Sequence, residues 1–150
     1  MNRYVRLALF ILLVLGGGSL IGYYNLPGEW YAGLVKPSFN PPNWIFGPVW
    51  SILYVMIAVA GWRLWEHHRS SPSMTIWWAQ LALNFLWSPA FFGMQNSGLA
   101  LVIVIAMLAL IYTFIARTWN LDRVAAWLFV PYAAWVSFAT LLNASVWWLN

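Results

Sequence analysis

The chain has 150 residues, 63% of them hydrophobic and only 7% charged, with a formal net charge of +4 and 13 tryptophans. So little charge excludes a soluble globular domain, and the uncharged runs Leu7–Gly28, Pro37–Trp62, Ser70–Ala116 and Val124–Asn150 each reach the roughly 20 apolar residues needed to cross a bilayer. A transmembrane barrel would instead show short alternating strands; the basic residues are scattered at helix ends, which excludes a nucleic-acid surface; and the absence of cysteine excludes disulfides, thiolate metal sites and cysteine nucleophiles.

Met1–Arg6 is short and basic, and the first apolar segment runs from Leu7 to about Tyr24. Arg3 and Arg6, then Leu7–Leu15, then Gly16–Ser19 also have the layout of a signal peptide. The apolar run continues past the glycines through Leu20, Ile21, Tyr23 and Tyr24, which favours a retained span. Gly18 and Gly22 form a G-x-x-x-G pair that suits close helix approach, including a dimer contact. From about Asn25 to Asn43 lies a long loop with Trp30, Tyr31, Phe39 and the prolines Pro37, Pro41 and Pro42. Prolines fix φ and bias the preceding residue to extended geometry. A loop this rich in rigid rings reads as a lid over a helix bundle; the alternative is a segment lying in the membrane interface, where Trp and Tyr gather.

Span two is about Trp44–Trp65 and ends in Arg63, Glu66, His67, His68 and Arg69. Span three is about Met74–Phe92, and the polar turn Gly93–Gly98 separates it from span four, about Leu99–Ala116. After the turn Asn120–Arg123, span five runs from about Val124 to Trp148, with a kink expected at Pro131. The chain thus reads as a single domain, residues 1–150, without internal repeats. Five spans put the two termini on opposite sides. Arg3, Arg6, Arg63, Arg69, Arg117 and Arg123 fall on one side, against Lys36 alone on the other. The positive-inside rule then places the N-terminus in the cytoplasm of a bacterial envelope membrane.

No Asp, Glu, Lys, Arg or His lies inside these spans, which argues against an ion-coupled carrier. His67 and His68 sit in a charged turn, pointing about 100° apart on a helix, and read as solvated residues rather than metal ligands. Glu29, Glu66 and Asp122 fall in three separate loops, so neither a nucleophilic triad nor a carboxylate pair can be assembled. What remains is amide and indole chemistry. On span three Trp77, Gln80, Asn84 and Trp87 share one helix face, with Ser88 beside it; on span two Trp50, Tyr54, Ile57 and Gly61 do. On span five Tyr132, Trp135, Ala139 and Leu142 do, with Asn143 alongside. Amides buried in lipid must find partners. Either Gln80, Asn84 and Asn143 bond across helices, or amides and indoles line a ligand cavity.

The runs Trp30-Tyr31-Ala32-Gly33-Leu34, Lys36-Pro37, Pro41-Pro42, Gly47-Pro48-Val49-Trp50 and Leu53-Tyr54 point further. So do Gln80-Leu81-Ala82-Leu83-Asn84, Trp87, Pro89, Phe91-Phe92-Gly93, Pro131-Tyr132, Trp135, Ala139 and Leu142-Asn143. In this order, over nearly the whole chain, they resemble the TspO family, the tryptophan-rich sensory proteins related to the mitochondrial translocator protein (peripheral benzodiazepine receptor). The resemblance implies a five-helix membrane bundle, commonly a homodimer, with a pocket near its top covered by the first loop. It implies porphyrin, haem and isoquinoline-type drugs as ligands, with no resident cofactor. By motif position Trp50 and Asn84 are polar ligand contacts, Trp135 is a second pocket indole, Ala139 shapes the wall, and Trp30 and Pro37 belong to the lid; Tyr54 adds a ring beside Trp50.

The family's animal branch ends in a sterol motif of Tyr followed by Arg. Here Leu142–Trp148 contains neither, which counts against sterol binding there; a pattern of the same form at Leu110-Ile111-Tyr112 through Arg117 is a weak one. The first functional reading is therefore a membrane receptor, carrier or sensor for flat apolar tetrapyrroles, with rings stacking on Trp50 and Trp135 and Asn84 orienting a polar group. The second is a light- and oxygen-dependent porphyrin-degrading enzyme working beside Trp50 and Trp135, with the ligand supplying the chemistry. The third is a membrane scaffold whose pocket is incidental.

Overall fold

The computed structural model describes all 150 residues, and every regular element in it is helical. Helix α1, Arg3–Tyr24, opens where the Asn2 side chain accepts from the Tyr4 amide, one of the orphan donors of a first turn. Its middle, Leu12–Gly16, is a π turn. The short helix α2, Glu29–Ala32, sits inside the first loop. Helix α3, Asn43–His67, begins with a 3₁₀ turn directly after Pro42, which is extended. Helix α4, Pro72–Ser88, starts with Ser71 capping the Met74 amide and proline in its first turn, where a missing N–H costs nothing. Pro89 lacks the amide needed to continue the α ladder, and the chain passes into a π turn, Pro89–Gly93, closed by the Met94 amide donating to the Pro89 carbonyl at 2.8 Å.

Gln95, at φ 53°, turns the chain, and Asn96 caps the Leu99 amide to start α5, Ser97–Thr118. Helix α6, Arg123–Leu149, starts on Asp122, which accepts from the Ala125 amide at 3.1 Å. It breaks at Phe129 and resumes at Val130, so the kink expected from Pro131 falls just before it. Helices α1, α3, α5 and α6 are long and apolar enough to cross a membrane. Helix α4 with its π extension packs along α5.

The helices are tied at one end by charge. Arg6 forms a two-point pair with Glu66, and Arg63 grips Asp122 through Nε and Nη2 at 3.0–3.2 Å. The Trp62 indole donates to the Arg3 carbonyl at 3.0 Å. Burial raises the Asp122 carboxyl, but hydrogen bonds from Arg63 and the Ala125 amide outweigh it and hold the group below the usual carboxylate range. Above this end lies the core, where Trp77, fully buried, donates to the Ile57 carbonyl at 2.9 Å. Gly61 makes room for it: a Cβ there would lie 2.3 Å from the Trp77 ring. Phe114 and Phe129 stack at 4.0 Å, closing the core against α6.

The first glycine of the α1 pair makes a close approach inside the chain. A Cβ on Gly18 would sit 2.5 Å from the Tyr54 ring, so the close approach is made within one chain, between α1 and α3. Gly22 faces open space on the wall of the cavity described next.

Candidate functional site: a tryptophan-walled cavity beneath the first loop

A cavity of about 510 Å³ opens between the helices at the end opposite the arginines, within the roughly 300–1,000 Å³ of typical small-molecule sites. No Asp, Glu, Lys, Arg or His lines it. Helix periodicity is the reason these walls converge. The faces of α3, α4 and α6 that carry aromatic and amide residues all turn inward, and α3 contributes Phe46, Trp50 and Tyr54. Helix α4 contributes Asn84 and Trp87, and α6 contributes Trp135, Ala139 and Asn143. The first loop supplies Leu26, Pro27, Tyr31 and Asn40.

Of the residues singled out from sequence, Trp50, Tyr54, Asn84, Trp135 and Ala139 thus meet at one cavity. Trp30 and Pro37 do not reach it. Trp30 packs edge-on against Phe91 at 5.6 Å and lines a separate concavity with Met94, Gln95 and Trp147. Pro37 sits in a tight turn, its carbonyl accepting from the Asn40 amide at 3.1 Å. The loop ring that faces the cavity is Tyr31, adjacent to Trp30, which packs edge-on against Phe91 and Phe92. The short helix α2 decides which of the two adjacent rings points inward, and a loop free of periodicity gives no sign of it.

The polar groups of the walls are mostly spoken for. Asn84 Nδ2 donates to the Tyr132 hydroxyl at 2.7 Å, and Asn84 Oδ1 accepts from the Tyr54 hydroxyl at 3.4 Å. The Tyr132 hydroxyl in turn donates to Gln80 Oε1 at 2.8 Å, and Gln80 Nε2 donates to the Trp77 carbonyl at 2.9 Å. This chain links α3, α4 and α6 just behind the wall. A second link has the Trp87 indole donating to Asn143 Oδ1 at 3.0 Å, while Asn143 Nδ2 donates to the Ser97 carbonyl at 3.0 Å. The two alternatives for the amides are therefore not exclusive: Asn84 and Asn143 bond across helices and also face the cavity.

One fully buried donor has no partner. Trp135 Nε1 is buried and has no hydrogen-bond partner, although its ring is held by Phe46 at 5.7 Å and Phe138 at 5.8 Å. Trp50 packs near Tyr54 at 5.4 Å and edge-on to Tyr132 at 6.3 Å. The arrangement offers aromatic faces to a flat apolar molecule.

The TspO/MBR family model matches residues 10–149. Over 150 residues the chain is 37% identical to the tryptophan-rich protein TspO of Archaeoglobus fulgidus, covering 97% of each chain. It is 38% identical over 154 residues to the tryptophan-rich sensory protein of Cereibacter sphaeroides, covering 100% of this chain and 95% of that one. It is also 36% identical over 138 residues to the translocator protein of Homo sapiens, covering 87% and 82%.

Proposed function

The chain belongs to the TspO/MBR family, and on that footing we propose that it is a membrane receptor and sensor for flat, apolar tetrapyrroles such as porphyrin or haem. The ligand lies between Trp50 and Trp135 beneath the first loop; isoquinoline-type drugs fit the same walls. Its setting is a bilayer crossed by five helices, with the arginine-rich end cytoplasmic and a homodimer as the working unit. The observation that supports this reading is the convergence of Trp50, Asn84, Trp135 and Ala139 on one aromatic, uncharged cavity. The amides of Asn84 and Asn143 add polar groups held at fixed positions, and Ala139 leaves the space between Trp135 and Asn143 open.

The test is a porphyrin titration of the folded protein in detergent, read by quenching of tryptophan fluorescence. Ala139→Leu fills the cavity from the wall and should abolish saturable binding. Trp50→Phe should weaken it by about five-fold or more, since stacking on an indole contributes roughly 1–3 kcal/mol. Trp62→Phe, whose indole bonds the Arg3 carbonyl at the far end, should bind like wild type. Wild-type affinity in both cavity variants would refute the assignment.

A further inference from the structure

The first loop surrounds the cavity mouth, yet almost nothing polar fastens it to the bundle. Between Leu26 and Pro42 its backbone hydrogen bonds are local: the Ala32 amide to Gly28, Gly33 to Glu29, Leu34 to Tyr31 and Asn40 to Pro37. Its side-chain bonds are local too. Lys36 Nζ reaches the Ala32 and Leu34 carbonyls and lies over the Tyr31 ring, and Asn40 Nδ2 reaches the Pro41 carbonyl. The exception is Val35. Its amide donates to Asn150 Oδ1 at 3.0 Å, and its carbonyl accepts from Asn150 Nδ2 at 2.8 Å. Asn150 Nδ2 also donates to the Val146 carbonyl at 2.8 Å, which anchors the same side chain to the end of α6.

We propose that Asn150 is the positioning residue that latches the first loop closed over the cavity, so that it sets how fast a ligand leaves. The reasoning is geometric. One carboxamide satisfies both backbone groups of a single residue, as a neighbouring strand would, and this requires an acceptor and a donor side by side. Aspartate keeps the acceptor and loses the donor; alanine loses both. The remaining fasteners of the loop are ring contacts of Trp30 and Tyr31 on Phe91 and Phe92 and of Phe39 on Phe138. These are non-directional and allow sliding, so the Val35 pair is what fixes the loop's register against α6. Tyr31 and Asn40, which flank Val35 in sequence, both line the cavity, so freeing Val35 loosens the wall on either side of it.

The role of the latch in ligand release rests on the tetrapyrrole reading, whereas its grip on the loop does not, and the experiment separates them. Hydrogen exchange is followed at the Val35 amide of the ligand-free protein, and protoporphyrin release is followed by dilution, in wild type, Asn150→Asp and Asn150→Ala. Each bond of this kind is worth roughly two- to ten-fold in an equilibrium. Exchange at Val35 should therefore rise about ten-fold in Asn150→Ala and by less in Asn150→Asp. Release should speed up about three- to ten-fold, with the association rate little changed. Unchanged exchange at Val35 in Asn150→Ala overturns the latch. Raised exchange with unchanged release overturns its control of the ligand. If wild type binds no protoporphyrin, the tetrapyrrole reading and with it the release role fail, and the exchange comparison still decides the latch.

Discussion

Trp135→Phe tests the site where its logic is most exposed. In the free protein the substitution removes an indole N–H that has no partner, so no hydrogen bond is lost. The smaller ring only enlarges a cavity that already exists, and relief of the orphan donor offsets part of the lost packing against Phe46 and Phe138. The stability of the ligand-free protein should therefore change by about 1 kcal/mol or less. In the proposed complex the same substitution takes away part of the indole face on which the ligand stacks, at a cost of about 1–3 kcal/mol, or about five- to 150-fold in the dissociation constant. Trp77→Phe is the mirror case. That indole is fully buried away from the cavity and donates to the Ile57 carbonyl, so its removal should cost about 2–4 kcal/mol of stability and leave affinity intact in the folded fraction. The assays are thermal unfolding in detergent without ligand and porphyrin titration by fluorescence quenching. If Trp135→Phe unfolds as readily as Trp77→Phe while binding porphyrin like wild type, the unpaired indole is a packing residue and the argument from it collapses.

Asn84→Ala should lower both stability and affinity, each by about 1–3 kcal/mol, because the buried Tyr132 hydroxyl loses the donor it accepts from and keeps only its bond to Gln80, and because a group is removed from the wall; the same two assays check it. Gly18→Ala places a methyl against the Tyr54 ring and should destabilise the folded chain by about 1–3 kcal/mol through overpacking, whereas Gly22→Ala meets open space and should be close to neutral; equal unfolding midpoints for the two would contradict the close approach. Asp122 is held below its usual range, so its contribution is fully present above the unfolded-state value and is lost as pH falls through the folded one. Asp122→Asn keeps the cap on Ala125 and removes the charge facing Arg63. The stability gap between wild type and this variant should therefore close as the solution is acidified from neutrality to below the carboxylate range, which unfolding midpoints across that series would detect.

Much of this was legible from the residues because two signals are strong in a membrane chain. Charge-free length places the helices, and the ends observed fall within a few residues of those read from Arg, Asn, Ser and Pro punctuation. Helical period then sets the aromatic and amide faces, and the family resemblance, by motif position, picks Trp50, Asn84, Trp135 and Ala139 from them. Other features have no periodic signature. The π turns at Leu12–Gly16 and Pro89–Gly93 shift the hydrogen-bond ladder by one residue, and the second turns Phe91 and Phe92 onto the cavity wall. The Gly18–Gly22 spacing specifies close approach but not its partner, which at Gly18 is Tyr54 of the same chain. Which of two adjacent loop rings faces inward, and which indole is buried without a partner, depends on contacts between segments remote in sequence.

On the proposed ligand reading, the hydrogen-bond capacity of the wall amides explains how a site without charge can still be specific. A carboxamide has two N–H groups and two lone pairs on its oxygen. Asn84 spends one of each on Tyr132 and Tyr54, and Asn143 spends one of each on the Ser97 carbonyl and the Trp87 indole. Each keeps one donor and one acceptor in reserve. The bonds already made lock the rotamers, so the reserved groups stand at fixed places and a ligand that meets them orders nothing further. A free carboxylate or ammonium in the same position would have to be desolvated in a nearly dry, apolar setting. Half-spent amides give direction without that penalty. The cost is that ligand recognition and helix packing share the same atoms, so few substitutions at this wall alter one without the other, and Trp135 is the place where the two can be separated.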